Sequence, residues 1–273
     1  MALDFTEYFK KYEAIVAEVD AVFRKFETEM PERVKCGKGC SDCCYALFDV
    51  TLVEAMYINA RFNEKFSGME RSAILERADK ADRQIYQLKR KVYKASEEGR
   101  PVNEIMLEVA KARVRCPMLG EDNLCSIYEN RPITCRLYGV PTAIGGVAHT
   151  CNQSGFKGGE KYPTVNMDIL LDRLLSLGKE IQKGIGSRFT ELGEILLPVS
   201  MAIVTEYDEA YLGVGQKTNL REKSPEEMEE PKEIIAPAAK PAPAKSSACA
   251  SCSDKSESAC KSCGESIVLG GEE

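Results

Sequence analysis

Four cysteines fall within nine residues, Cys36, Cys40, Cys43 and Cys44, in the run CGKGCSDCC. Four more follow at Cys116, Cys125, Cys135 and Cys151. Thiols at this density are cross-linked, buried as small apolar groups, or bound to metal. The chain starts MALDFTEYFKKYEAIVAEV, with acids early and no basic-then-apolar order, so it does not read as a secretory leader. No apolar run approaches the roughly 20 residues needed to cross a bilayer. The expected compartment is therefore the cytoplasm, where thiols stay reduced, and metal binding or redox chemistry becomes the leading explanation.

A tetrahedral zinc site takes four thiolates, and so does a cubane iron–sulfur cluster. Eight thiols suit two such sites or one multinuclear centre. Cys43 and Cys44 are adjacent, and neighbouring side chains diverge, so they are expected to face two metals, or one to bind while the other bridges or reacts. Lys35, Lys38, Arg115 and Arg136 flank cysteines. Positive neighbours favour thiolate over thiol and offset the charge of a tetrathiolate site. Gly37 and Gly39 leave the backbone free to wrap sulfurs around an ion. Arg131 and Arg136 are expected to tune or cap the site. Tyr128 and Tyr138 read as packing residues. His149, the only histidine, is a conceivable ligand, but with eight thiols available a surface or supporting role fits better.

The second group has its own text, CPMLGEDNLCSIYENRPITCRLYG. Four close cysteines ending in CC, then Cys116-Pro117, then Cys125-x-Ile127-Tyr128-x-x-Arg131-Pro132-x-x-Cys135-Arg136-x-Tyr138, and finally Cys151, resemble the YkgJ-type cysteine-cluster family. Its signature is written CxxCxxCC, and its members are described as zinc- or iron-chelating. The resemblance runs from Cys36 to Cys151, with helices as a long insert between the two groups. It departs from the signature in having three residues, not two, between Cys36 and Cys40. It implies chelation of zinc or iron through the eight cysteines, with an iron–sulfur cluster as one form. The flagellin lysine-N-methylases carry a related cluster, so the resemblance also admits an alternative, an iron or iron–sulfur redox enzyme acting on a protein side chain. Whether the protein is an enzyme stays open at this point. The spacing Cys36-x3-Cys40-x2-Cys43 also matches the radical S-adenosylmethionine triad. That match is set aside, because those enzymes need alternating strands and helices and this text runs helix after helix.

The fold class expected is mainly α, a compact helical domain with cysteine-rich metal-binding loops between its helices. Phe5, Tyr8, Tyr12, Ile15, Val19, Val22 and Phe26 recur at helical spacing, with Asp4 and Glu7 as a candidate capping box and Pro31 beyond the end. Thr51 and Glu54 in TLVE mark a helix start, running to about Phe66. Further helices are expected over about 69–98, with Ile74, Ala78, Ala81, Ile85, Leu88 and Val92 on one face, and over 102–114 and 167–181. A last one is expected over 191–207, kinked or broken at Pro198.

From about residue 214 the composition changes to charged residues, Pro, Ala and Lys without apolar periodicity. Residues 1–213 are thus expected to form the folded domain, 214–248 a disordered linker, and 249–273 a short cysteine-rich tail. Cys249-x2-Cys252 and Cys260-x2-Cys263 form a second, weaker metal candidate: their seven-residue spacer is shorter than a zinc ribbon uses, yet two such pairs can close around one ion. The net charge of −6 argues against a general nucleic-acid binder. The expected partner is a metal ion, with no nucleic acid and no membrane; no feature names a protein partner.

Overall fold

The structure is a computed structural model and describes residues 3–215 together with 266–267. The account below concerns the unit formed by Met1–Val214 with Gly264–Glu273. Nearly all of the expected linker and all four tail cysteines lie outside the described residues.

The unit is mainly helical, with short strands. Helix α1 (Thr6–Glu29) buries Tyr12, Ile15, Val19, Val22 and Phe26, the stripe its sequence carries. The box expected at Asp4 and Glu7 does not form. Asp4 Oδ1 accepts the Thr6 N–H at 2.9 Å, while Glu7 takes Lys10 Nζ at 2.8 Å. Helix α2 (Leu52–Lys65) is the centre of the molecule, and its residues 52–58 are all buried. It does start with a box, in which the Glu54 carboxylate accepts both the N–H and the hydroxyl of Thr51, at 3.0 and 2.9 Å. Helix α3 (Gly68–Glu97) buries Ile74, Ala78 and Ala81, and Ile85, Leu88 and Val92 continue the same face half-buried. Helix α4 (Val102–Lys111) packs on α3 and ends three residues before the expected limit. Helix α6 (Met167–Gly184) starts at Asn166, whose side chain accepts the N–H groups of Asp168 and Ile169.

The last expected helix is replaced by three elements. A 3₁₀ turn at Leu192–Glu194 leads into a strand over Leu196–Pro198, and only Val199–Val204 is α-helical. Pro198 has no N–H to continue a helix, and residues 196–198 instead pair antiparallel with strand β1 (Asp49–Thr51). A second sheet joins strands β2 (Thr142–Ile144) and β3 (Val147–His149), a hairpin turned by Gly145 and Gly146 at φ +56° and +77°, with β4 (Thr164–Asn166) parallel to β2. Strand β5 is Leu196–Pro198; β6 (Ser266–Ile267) pairs parallel with β4. Two short helices complete the set, α5 (Ile133–Leu137) and α7 (Val199–Val204).

Two apolar cores meet at α2. One gathers Tyr12, Val19, Tyr57, Leu137, Leu170 and Leu174 from α1, α2, α5 and α6. The other gathers Ile58, Phe62, Ile74, Met118, Ile127 and Ile203. A third, small cluster contains Cys43, Cys44 and Leu119, with Cys116, Cys135, Tyr45 and Tyr138 against it. Among the described residues no helix is long and apolar enough to cross a membrane.

Candidate metal centre

The thiols are assembled by main-chain hydrogen bonds. In the first segment Gly39 adopts φ +96°, a conformation that costs glycine little, and the Cys40 N–H then reaches the Gly37 carbonyl at 3.0 Å. A 3₁₀ turn at Asp42–Tyr45 carries Cys43 and Cys44. Residues 114–116 run beside it, with the Cys116 N–H bonded to the Cys44 carbonyl at 2.7 Å and Val114 to Tyr45 at 3.2 Å. The chain then doubles back. Gly120 and Leu124 bond at 2.8 Å, as do Ser126 and Met118, while Leu119 bridges to Cys125. Arg115 holds this loop by donating to the carbonyls of Leu119 and Gly120 at 3.1 and 2.6 Å.

Cys135 is an exception to the expectation of loops, because it sits on α5. That short helix is anchored by Glu54 Oε1, which accepts the Ile133 N–H at 3.0 Å. Past its end, Gly139 lies against Cys36 so tightly that a Cβ there would stand 2.2 Å from the Cys36 Cβ. Cys151 faces Asp42, its sulfur 3.6 Å from Oδ2, and its Sγ accepts the Gln153 N–H at 3.4 Å.

All eight cysteines are free thiols. Six of them, Cys40, Cys43, Cys44, Cys116, Cys125 and Cys135, line one cavity of about 60 Å³, together with Arg131. Its remaining wall is largely apolar and includes Phe48, Ile85, Met118 and Val199. Hydrogen bonds from Cys135 and Cys44 converge on Cys43 and depress its pKa, with Arg131 adding to the effect. Cys44 and Cys135 move far upward, each first because it donates to Cys43 and then because it is buried. Burial pushes Cys116 up to about 12 and Cys36 up to about 11, and raises Cys125 and Cys151.

The basic neighbours separate into those that act on sulfur and those that do not. Arg131 stabilises the charged forms of Cys36, Cys43 and Cys125, and its guanidinium stacks 3.6 Å above the Tyr128 ring. Its buried Nε has no hydrogen-bond partner among the described residues. Arg115 acts on Cys116, and Lys65, which sequence reasoning did not single out, acts on Cys125. Arg136 is committed elsewhere. It donates to both Asp20 oxygens at 3.0 and 2.8 Å, and to the carbonyls of Arg131 and Glu129, tying the turn before α5 to α1. His149 is exposed on β3. Tyr128 packs under Arg131. Tyr138 does more than pack: burial, with the Asp42 carboxylate nearby, lifts its hydroxyl to about 12.

Asp42 was also missed. It lies within the first cysteine run, but a reading that counts sulfurs passes over it. Glu54 and Gly139, which position Cys135 and Cys36, gave no signal beyond an ordinary helix cap and an ordinary glycine.

Among the described residues, no three Cys, His, Asp or Glu side chains stand as a finished ligand set. Cys43 apart, the shifted thiols lie above their ordinary pKa, so binding has to expel protons and draw sulfurs inward. Their chemistry suits zinc or iron, both of which take thiolates readily.

The helical unit thus carries eight free thiols from two distant segments, six of them on one cavity. Residues 35–152, Cys36 to Cys151 included, match the family model CxxCxxCC, described as "Putative zinc- or iron-chelating domain". No curated protein and no solved structure matched the chain.

Proposed function

We propose that the protein chelates zinc or iron through the thiolates of Cys36, Cys40, Cys43, Cys44, Cys116, Cys125, Cys135 and Cys151. The observation that supports this reading is the single cavity lined by Cys40, Cys43, Cys44, Cys116, Cys125 and Cys135, with Arg131 beside them. Cys43, whose pKa its neighbours depress, gives up its proton most readily and offers the first ligand. Each further thiol must surrender its proton, and Arg131 and Arg115 lower the electrostatic cost of doing so. The bound metal would supply Lewis acidity and cross-linking, or electron transfer if it is iron.

The apolar part of the cavity, where Phe48, Met118 and Val199 border the same space as the thiols, favours a second reading. In it the centre is a redox-active iron or iron–sulfur site acting on a protein side chain that enters this space. Anaerobic purification followed by elemental analysis and visible absorption tests both. Zinc or iron retained by the wild type and lost in Cys43→Ser and Cys135→Ser is the expected result. A colourless zinc protein removes the redox reading, and a chain that takes up neither metal after anaerobic reconstitution removes both. Cys249, Cys252, Cys260 and Cys263 are assigned an ion of their own, so deletion of residues 216–273 should lower the metal stoichiometry by one.

A further inference from the structure

Arg131 differs from the other arginines of this region in what its side chain leaves unused. Arg113 donates to Asp42, Arg115 to two carbonyls, and Arg136 to Asp20 and two carbonyls. The Arg131 side chain has no hydrogen-bond or carboxylate partner among the described residues, although its Nε is buried. The group is nevertheless held in place. Its Cζ stacks 3.6 Å from the centre of the Tyr128 ring, and its own carbonyl accepts Arg136 Nε at 2.8 Å. A guanidinium is a planar fork of N–H donors, so a ring against its face leaves the edge for bonding. Its charge acts on the sulfurs at any angle, but its N–H bonds are directional and sulfur accepts them weakly. A buried donor without an acceptor is costly. Arg131 thus keeps donors ready for a group that the chain does not itself supply.

The surroundings select that group. Arg131 borders the cavity shared by six thiols, whose remaining wall includes Phe48, Ile85, Met118 and Val199. The edge of a guanidinium pairs with a carboxylate through two parallel bonds. The cavity, about 60 Å³, is several times the roughly 10–15 Å³ that one water needs, which suits a small molecule. A short alkyl group gains by leaving water for the apolar wall, whereas phosphate brings more charge and no apolar part. A second cleft, of about 450 Å³, shares Cys125, Ile127 and Tyr128 with this cavity and gives an approach to it. Its two lysines, Lys38 and Lys65, are balanced by Asp122 and Glu129, which leaves Arg131 to select the anion.

We propose that the cavity binds a short-chain monocarboxylate, with the carboxylate on the edge of the Arg131 guanidinium and the alkyl group against the apolar wall. The site goes beyond metal chelation and does not depend on it. Tyr128 positions the guanidinium and Arg131 binds the anion.

The test is titration of the reduced full-length chain with sodium acetate and sodium propionate, anaerobically, at constant ionic strength, with and without added zinc. The Nε–H resonance of Arg131, assigned by its loss in Arg131→Lys, is expected to shift and saturate. Propionate should bind about fourfold tighter than acetate, the effect of one buried methylene. Arg131→Lys keeps the charge without the fork, so affinity read from the line width of 13C-labelled propionate should fall by about tenfold. If Arg131→Lys does not fold, Tyr128→Leu decides: with the guanidinium no longer held, propionate should bind several-fold more weakly, and an unchanged affinity counts against the site. No saturable shift with or without zinc, an unchanged affinity in Arg131→Lys, or inorganic phosphate binding as tightly as propionate would overturn the proposal. Zinc uptake is read on the same samples. Zinc bound without propionate removes this site alone, and propionate bound without zinc removes only the chelation reading.

Discussion

The buried carboxylate of Glu54 accepts the backbone N–H of Ile133 at 3.0 Å, so the first turn of α2 caps the helix that carries Cys135. Its other oxygen takes the N–H and hydroxyl of Thr51. One side chain thus ties the central helix to the metal-candidate segment. Glu54→Ala would leave buried donors without acceptors, at a cost of roughly 2–4 kcal/mol. Urea denaturation of the metal-free and metal-loaded protein should show this loss in both. An unshifted midpoint would mean that α5 is held by packing alone.

A close approach does the same positioning for Cys36. Gly139 is buried, and any Cβ there collides with the Cβ of Cys36. Gly139→Ala has to push the two segments apart, an overpacking cost of about 1–3 kcal/mol. Cys36 then moves from its neighbours, so metal affinity should fall together with stability. Competition against a zinc chelator measures the first and thermal melting the second; if affinity is retained, Cys36 is not a ligand whose position matters.

These positioning contacts mark where the sequence stops being legible. The long helices could be read because packing against α2 demands stripes such as Tyr12, Ile15, Val19, Val22 and Phe26, and those stripes have a helical period. The sheet pairing of residues 49–51 with 196–198 could not be read, because three residues are too few to display alternation. Pro198 announced a break without announcing what would replace the helix. Among the site residues, the cysteines were evident from their density. The distinction between Arg131 and Arg136 was not, because both lie close to Cys135 in sequence and only the direction of each side chain assigns one to sulfur and the other to Asp20. Asp42 was hidden because a carboxylate beside cysteines is unremarkable until its partners are known.

The buried thiols also predict a pH response. Burial raises Cys36 to about 11 and Cys116 to about 12 from an ordinary value of 9.0. In the unfolded chain these groups ionise first. The stability that neutral buried thiols lend the metal-free protein is therefore complete below about pH 9, and it is lost as the pH rises toward 11–12. Cys43 runs the other way: its depressed pKa contributes in full above pH 9 and adds no slope there. The melting temperature of reduced, metal-free protein should fall between pH 9 and 11. Zinc-loaded protein, whose thiols have already lost their protons, should show a smaller fall. A flat profile for the metal-free form would contradict the neutral, buried state of these thiols.

Arg131 and Arg136, five residues apart, should separate cleanly on mutation. Arg131 faces Cys36, Cys43 and Cys125 and stacks on Tyr128, so its charge acts on the sulfurs. Arg131→Gln removes that charge and should lower zinc or iron affinity by about tenfold, with a modest effect on the stability of the metal-free protein. Arg131→Lys keeps the charge without the planar stack and should recover part of the affinity. Arg136 is 7% exposed and makes its bonds to Asp20 and to two backbone carbonyls. Arg136→Gln strands those acceptors and should cost about 2 kcal/mol or more in folding, while the folded fraction binds metal with near wild-type affinity. Chelator competition at a temperature where both variants remain folded, paired with urea denaturation, reads the two effects independently. If Arg136→Gln loses affinity and Arg131→Gln loses only stability, the roles assigned to the two guanidinium groups are reversed.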